Sequence, residues 1–229
     1  MNTFFEKLSQ DGEPSYTTQR LWAVEQTMPS SVIIYGGSDE LQWSGSGFLI
    51  NEEGYVLTCA HVANPHNKAP LPKDLNLRGS LDGIAFYPMH ALLLNYDLDV
   101  AVLQFVEVSE VTRSVIPDLG HATALHVGTP IIAIGAPEGI DHIATSGIVA
   151  SSPRAVPGVA AEIFFIDVTI LPGSSGGMII THEAEVVGIA RGSIGAEEGA
   201  GPGLNYCIAI DSVKDWLNAK GVVFYEAGE

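Results

Sequence analysis

Ser46-Gly47-Phe48-Leu49-Ile50, a polar turn and then Tyr55-Val56-Leu57 has an echo further along the chain: Ser175-Gly176-Gly177-Met178-Ile179-Ile180, a polar turn and then Val186-Val187-Gly188-Ile189. Each copy reads as strand, hairpin, strand beginning Ser-Gly. Short runs of branched and aromatic residues bounded by turn residues favour strands over helices. Working outward on one side, strand candidates cover Ser31 to Tyr35, Gly45 to Ile50, Tyr55 to Thr58, Ala91 to Asn95 and Val100 to Phe105. On the other side they cover Pro130 to Ile134, Ala144 to Ser151, Glu162 to Thr169, Met178 to Thr181, Val186 to Ala190 and Tyr206 to Ile210. Many short strands of this kind build all-β barrels or sandwiches. The weakly patterned Pro117 to Gly128 stretch divides the chain near residue 120 into two similar β units.

Helical periodicity is confined to the ends. Thr18 to Thr27 is one candidate; the other opens at Asp211, an acidic N-cap, and stops before Gly221. The predicted organisation is an N-terminal extension (1–30), a first barrel (31–120), a second barrel (121–210) and a C-terminal helix and tail (211–229).

Composition narrows the function. Of 229 residues, 46% are apolar and 16% charged, enough to build a core. Lys plus Arg less Asp plus Glu is 10 − 27 = −17, a field that repels phosphate backbones and anionic headgroups, so no nucleic-acid or membrane partner is expected. No apolar run approaches the roughly 18 residues of a spanning helix. The opening MNTFFEKLSQDGEPSY lacks the basic, apolar and small-residue succession of a secretory leader, which predicts a cytoplasmic location. Cys59 and Cys207 are too few for a thiolate zinc site and read as two buried thiols rather than a bridge. With no Gly-Lys-Ser/Thr loop and no His-Glu-x-x-His pair, neither a cofactor nor a metal is expected. The glycine-rich run from Gly192 to Gly203 holds two acids and no base, and reads as a flexible loop.

Three places carry possible chemistry. His61 follows an apolar strand and the Thr58-Cys59-Ala60 step, where a side chain is presented at a rim; the other six histidines have looser contexts. Asp99 leads into the apolar Val100 to Phe105 strand, so its carboxylate is at least half buried and needs a partner, with Asp97 as the competing candidate. Leu171-Pro172-Gly173-Ser174-Ser175-Gly176-Gly177 sets a serine between glycines, which allow positive φ and close approach of a carbonyl to main-chain N–H groups. A serine-glycine run by itself is commonly a turn, but this one directly precedes an apolar strand.

Together these pieces resemble the chymotrypsin-like serine proteases, and within them the HtrA/Deg branch. Gly45-Ser46-Gly47-Phe48-Leu49-Ile50 and Gly54-Tyr55-Val56-Leu57-Thr58-Cys59-Ala60-His61-Val62 match the histidine region of that branch. Asp99-Val100-Ala101-Val102-Leu103, Val127 to Gly139 and Thr145-Ser146-Gly147-Ile148-Val149 match three further segments. The resemblance implies two six-stranded β-barrels and a serine endopeptidase acting through His61, Asp99 and Ser175, in the chymotrypsin order of the triad. It selects Asp99 over Asp97. Gly173, Ser174 and Ser175 become the oxyanion loop; Ser174 stands where the family has Asn or Asp, so a less firmly held hole is the expectation.

By the same resemblance, Thr169, Ile170 and Leu171, with Arg191, Gly192, Ser193 and Ile194, wall the specificity pocket. Ile170 and Ile194 imply a small apolar pocket for Val, Ala or Leu before the scissile bond. Arg191 either favours an acidic side chain or points outward to solvent, the commoner fate of an arginine. Protein or peptide substrates follow, as does a trimer formed through N-terminal aromatics, for which Phe4, Phe5 and Tyr16 are candidates. The family commonly adds PDZ domains; none is expected within this sequence.

Overall fold

In a computed structural model of the protein the short strands pair on both edges through backbone hydrogen bonds until the sheet closes. Residues 15–37, 42–65, 71, 75–107, 115–140, 142–194 and 204–228 are described. β1 (Ser31–Gly37), β2 (Gln42–Leu49), β3 (Tyr55–Thr58), β4 (Asn76–Ser80), β5 (Tyr87–Asn95) and β6 (Val100–Phe105) form a closed barrel in the order β1-β2-β3-β6-β5-β4. The register pairs Phe48 with Leu57, and Leu57 with Val102. With Val32, Ile34, Val56 and Leu103 these side chains are fully buried. Each such apolar side chain contributes about 1.5–3 kcal/mol on burial.

The second unit contains β7 (Asp118–Leu119), β8 (Pro130–Gly135), β9 (Ile143–Val149), β10 (Arg154–Val156), β11 (Val159–Asp167), β12 (Met178–Ile180), β13 (Glu185–Ile194) and β14 (Leu204–Ala209). Its path β11-β14-β13-β12-β8-β9 returns on itself where Val149 pairs with Ile166, so six strands again make a ring. β10 extends it as a hairpin with β11, and β7 lies parallel to β13. Ile131, Ile132, Ile163, Phe164, Ile179 and Ile189 are fully buried in and around it. The all-β, two-barrel expectation and the C-terminal helix are present as predicted.

The helices differ in detail. α1 (Tyr16–Thr27) starts two residues before the predicted Thr18, because the Ser15 hydroxyl accepts the Thr18 N–H and caps the turn. α2 (Ala60–Ala63) is a single turn. α3 (Ile210–Ala219) buries Val213, Trp216 and Leu217. Asp211 does not cap it. Ala209 holds the N-cap position, while the Asp211 carboxylate accepts the N–H groups of Ala122 and Thr123, fastening α3 to a neighbouring turn. Lys214, buried, donates to the Gly120 carbonyl and pairs with Glu226 at 2.7 Å.

The barrels meet at the glycine-flanked serine. The Ser46 N–H donates to the Ser175 carbonyl at 2.8 Å. Gly176 has φ +86°, and a Cβ there would lie 2.1 Å from the Ser46 carbonyl and 2.2 Å from Thr58 Oγ1. Only glycine permits so close a joint.

Candidate active site

Register in the first barrel brings His61 and Asp99 together. Thr58 pairs with Ala101 across β3 and β6, so the residues just beyond each strand end face one another. The Ala60 N–H then donates to the Asp99 carbonyl at 3.1 Å. The carboxylate takes two further bonds, from the His61 N–H to Oδ1 at 2.9 Å and from the His61 ring Nδ1–H to Oδ2 at 2.7 Å. A carboxylate accepts only, so Nδ1 is the donor and Nε2 is left to accept. Asp99 adopts φ +56° and is buried. Burial pushes its carboxyl up, but the bonds and charge of His61, with Arg191 behind them, outweigh that and hold it below the usual carboxylate range. Asp97 lies exposed in the preceding turn, away from this pair.

The second barrel supplies the Ser175 hydroxyl and, around it, a loop shaped by backbone hydrogen bonds. Pro172 offers its carbonyl to the Glu138 N–H at 2.8 Å. A trans peptide points its C=O and N–H in opposite directions, so this bond turns the Gly173 N–H away from Glu138. Ser46 Oγ donates to the Gly173 carbonyl at 2.7 Å and accepts the Ala136 N–H at 2.8 Å. Ser174 O accepts the Gly177 N–H at 3.0 Å, which in the same way frees the Ser175 N–H on the far side of its peptide. Neither the Gly173 nor the Ser175 N–H has a partner among the described residues. Two amides beside one serine hydroxyl are what a developing oxyanion requires.

Ser174 differs from its expected role. Its N–H goes to the Leu171 carbonyl at 2.9 Å and its Oγ accepts the Leu171 N–H at 3.2 Å, so it closes the loop and has no amide to offer. The loop is held despite the absence of Asn or Asp.

A cavity of about 40 Å³ opens beside Ser174, and Thr169, Ile170 and Leu171 line it together with Ile134, Ile143 and Ala190. Gly192 and Ser193 do not; Ile194 ends β13, and its side chain lies outside the described residues, as do residues 195–203 of the glycine-rich run. Arg191 does not line the cavity, and although its side chain is 39% exposed its head group turns onto Asp99. Its Nε lies 2.8 Å from Asp99 Oδ2. The Ser175 hydroxyl donates to the Arg191 carbonyl at 3.1 Å, and among the described residues no hydrogen bond joins it to His61. Ser46 and Glu138, which brace the oxyanion loop, were not singled out from sequence. A buried polar residue between glycines in an apolar strand is the signal that Ser46 carried.

Cys59 and Cys207 are free, buried thiols. Desolvation pushes both well above the usual thiol range. Cys59, His61 and Asp99 bring three donor atoms within 4.8 Å. Both Asp99 oxygens are committed to His61 and Arg191, and Cys59 is protonated, so the set favours proton transfer over metal coordination. Tyr16 stacks on His182 of its own chain, 4.4 Å between ring centroids. Phe4 and Phe5 lie outside the described residues.

A family model described as a trypsin-like peptidase domain matches residues 45–189. A protein of Halomonas elongata named "Probable periplasmic serine endoprotease DegP-like" is 35% identical over 191 residues, covering 82% of this chain and 37% of the relative. A Pseudomonas fulva protein of the same name is 35% identical over 208 residues, covering 87% of this chain and 40% of its own. The chain thus spans about two fifths of the length of these relatives. The solved HtrA-type protease AlgW with tripeptide superposes with a TM-score of 0.72 at 23% identity, over 92% of this chain and 65% of that one. At that identity the likeness speaks for the fold. The relatives' names point to the periplasm and correct the cytoplasmic expectation. A stretch of 16 residues without leader features does not bear on location in a chain that spans only part of its relatives.

Proposed function

The chain belongs to the trypsin-like peptidase family, and on that premise we propose that it is a serine endopeptidase of the HtrA/DegP type, using His61, Asp99 and Ser175. The observation that carries this reading is the His61–Asp99 pair, at 2.7 Å, set across the barrel joint from a serine flanked by two unpartnered amides.

In the reaction, His61 Nε2 removes the Ser175 hydroxyl proton as Oγ attacks the peptide carbonyl. Asp99 holds the ring in the tautomer that makes Nε2 the base and stabilises the imidazolium that results. The Gly173 and Ser175 N–H groups take up the oxyanion. His61 then returns its proton to the leaving amine, the acyl group remains on Oγ, and water activated by the same ring releases it. The His61 side chain is 30% exposed, open enough for substrate and water to reach it.

The 40 Å³ cavity, walled by Ile134, Ile143, Ile170 and Leu171, accepts a small aliphatic side chain before the scissile bond. Among the described residues no acid lines it to pair with Lys or Arg. Profiling with a peptide library should give Ala and Val ahead of Phe and Lys; a preference for large or basic residues would overturn this assignment.

A second reading is a latent or purely protein-binding module, favoured by the Ser175 hydroxyl resting on the Arg191 carbonyl. Resting hydroxyls commonly tighten onto the base only with substrate bound. Labelling with a fluorophosphonate, read by intact mass beside Ser175→Ala and His61→Ala, separates the two. Stoichiometric labelling lost in both variants supports the endopeptidase; an unlabelled wild-type protein supports the latent module.

A further inference from the structure

We propose that Arg191 is a positioning residue that tunes the basicity of His61 by sharing Asp99 with it; this rests on the triad reading above. Along β13 and β14, Ala190 pairs with Cys207 and Gly192 with Tyr206, so Arg191 is the extra residue of a β-bulge. A bulge re-aims a side chain that regular alternation would send elsewhere. The guanidinium arrives at Asp99 Oδ2, 2.8 Å from Nε, on the same oxygen that accepts the His61 ring proton. The Tyr206 ring backs it, 5.8 Å from the guanidinium carbon to the ring centroid. The main chain of the same residue accepts the Ser175 hydroxyl. Arg191 therefore touches both the acid and the nucleophile.

A carboxylate that answers two cations stabilises each less than it would stabilise one. When His61 takes the serine proton, the imidazolium forms beside an anion already partly neutralised by Arg191. Removing the guanidinium would leave the whole anion to the imidazolium and favour it. Among the described residues, the titratable groups around the His61–Asp99 pair are Cys59 just past β3, Arg191 from β13 and Tyr206 from β14, with Cys207 behind Cys59. Burial keeps both thiols and the Tyr206 phenol protonated near neutrality. Asp99 and Arg191 are the charged members, so replacing the arginine changes one charge.

The test is the acid limb of kcat/KM between pH 5 and 9 for the wild-type protein, Arg191→Met, Arg191→Gln and Arg191→Lys, with the His61 ring titration followed by NMR in each. Neutral substitution should move both readouts to higher pH by about 0.5–1 unit, and Arg191→Lys should restore most of the shift. Two neutral variants guard against one failing to fold. A lowered plateau with an unmoved limb and an unmoved His61 titration would mean that Arg191 is merely structural, and would overturn the proposal. Because the NMR titration needs no turnover, a shifted titration in a protein that no fluorophosphonate labels would uphold the tuning while overturning the endopeptidase reading.

Discussion

The two barrels share a topology but do different work at the site. The first presents side chains: its strand register sets His61 opposite Asp99, and ionised groups make the geometry. The second presents the Ser175 hydroxyl on a Pro172 to Gly177 loop shaped by carbonyls and amides, so besides the Arg191 ion pair its contribution is where N–H groups point. Acid–base chemistry tolerates small backbone shifts if the carboxylate–imidazole bond survives. An oxyanion hole does not, because an amide has no rotatable side chain with which to follow the substrate. Gly173 and Gly176 sit at positive φ on one side of the cleft, while on the other Asp99, itself at φ +56°, leads into the apolar β6.

Asp99→Asn should produce the largest loss. An amide offers one acceptor oxygen to a His61 ring proton, a His61 main-chain N–H and Arg191, and the imidazole is left in the wrong tautomer. Turnover should fall roughly 10⁴-fold, with the circular dichroism spectrum unchanged. Gly173→Ala tests the other barrel. Its φ is +90°, and a Cβ would sit 2.8 Å from both the Ala136 carbonyl and the Glu138 N–H nitrogen, so the peptide must rotate. A fall in kcat of about 10²–10³-fold with little change in KM is expected; a raised KM with kcat unchanged would mean that this loop binds ground state and transition state alike.

Ser46→Ala probes the seam. It leaves the Ala136 N–H and the Gly173 carbonyl without their shared partner, about 1–2 kcal/mol of support, and kcat should drop roughly tenfold. The smallest effect concerns pH. The Asp99 pKa is depressed in the folded protein, so its contribution to stability is fully present above the unfolded value of ~3.9. It is lost as pH falls through the folded value. The difference in urea stability between the wild-type protein and Asp99→Asn should therefore narrow below about pH 4; a constant difference would show that Asp99 acts through packing alone.

Much of this was legible in the chain. The Ser-Gly echo gave two similar units because strand period and turn residues are local signals. His61 and Asp99 stood out as candidates because a polar residue at the edge of an apolar strand is conspicuous, and the family resemblance chose Asp99 over Asp97. Arg191 was expected in the pocket or in solvent because nothing near it in sequence announces a bulge; only the pairing of β13 with β14 creates one. Asp211 looked like a helix cap by the usual rule, yet its carboxylate serves the amides of Ala122 and Thr123. Ser174 was read as a loosened loop residue, whereas its hydroxyl closes the turn onto Leu171.

By itself the sequence determined that the chain is all-β, that it falls into two related barrels, and which histidine, aspartate and serine are the candidates. The fold follows from periodicity and glycine placement, each set within a few residues; the choice of the three candidates also drew on the family resemblance. Tertiary structure decided where Arg191 points, which amides are left free, and how Ser46 spans the joint. These depend on strand register and on carbonyls contributed from far along the chain, and a hydrogen bond's direction is fixed only once both partners are in place.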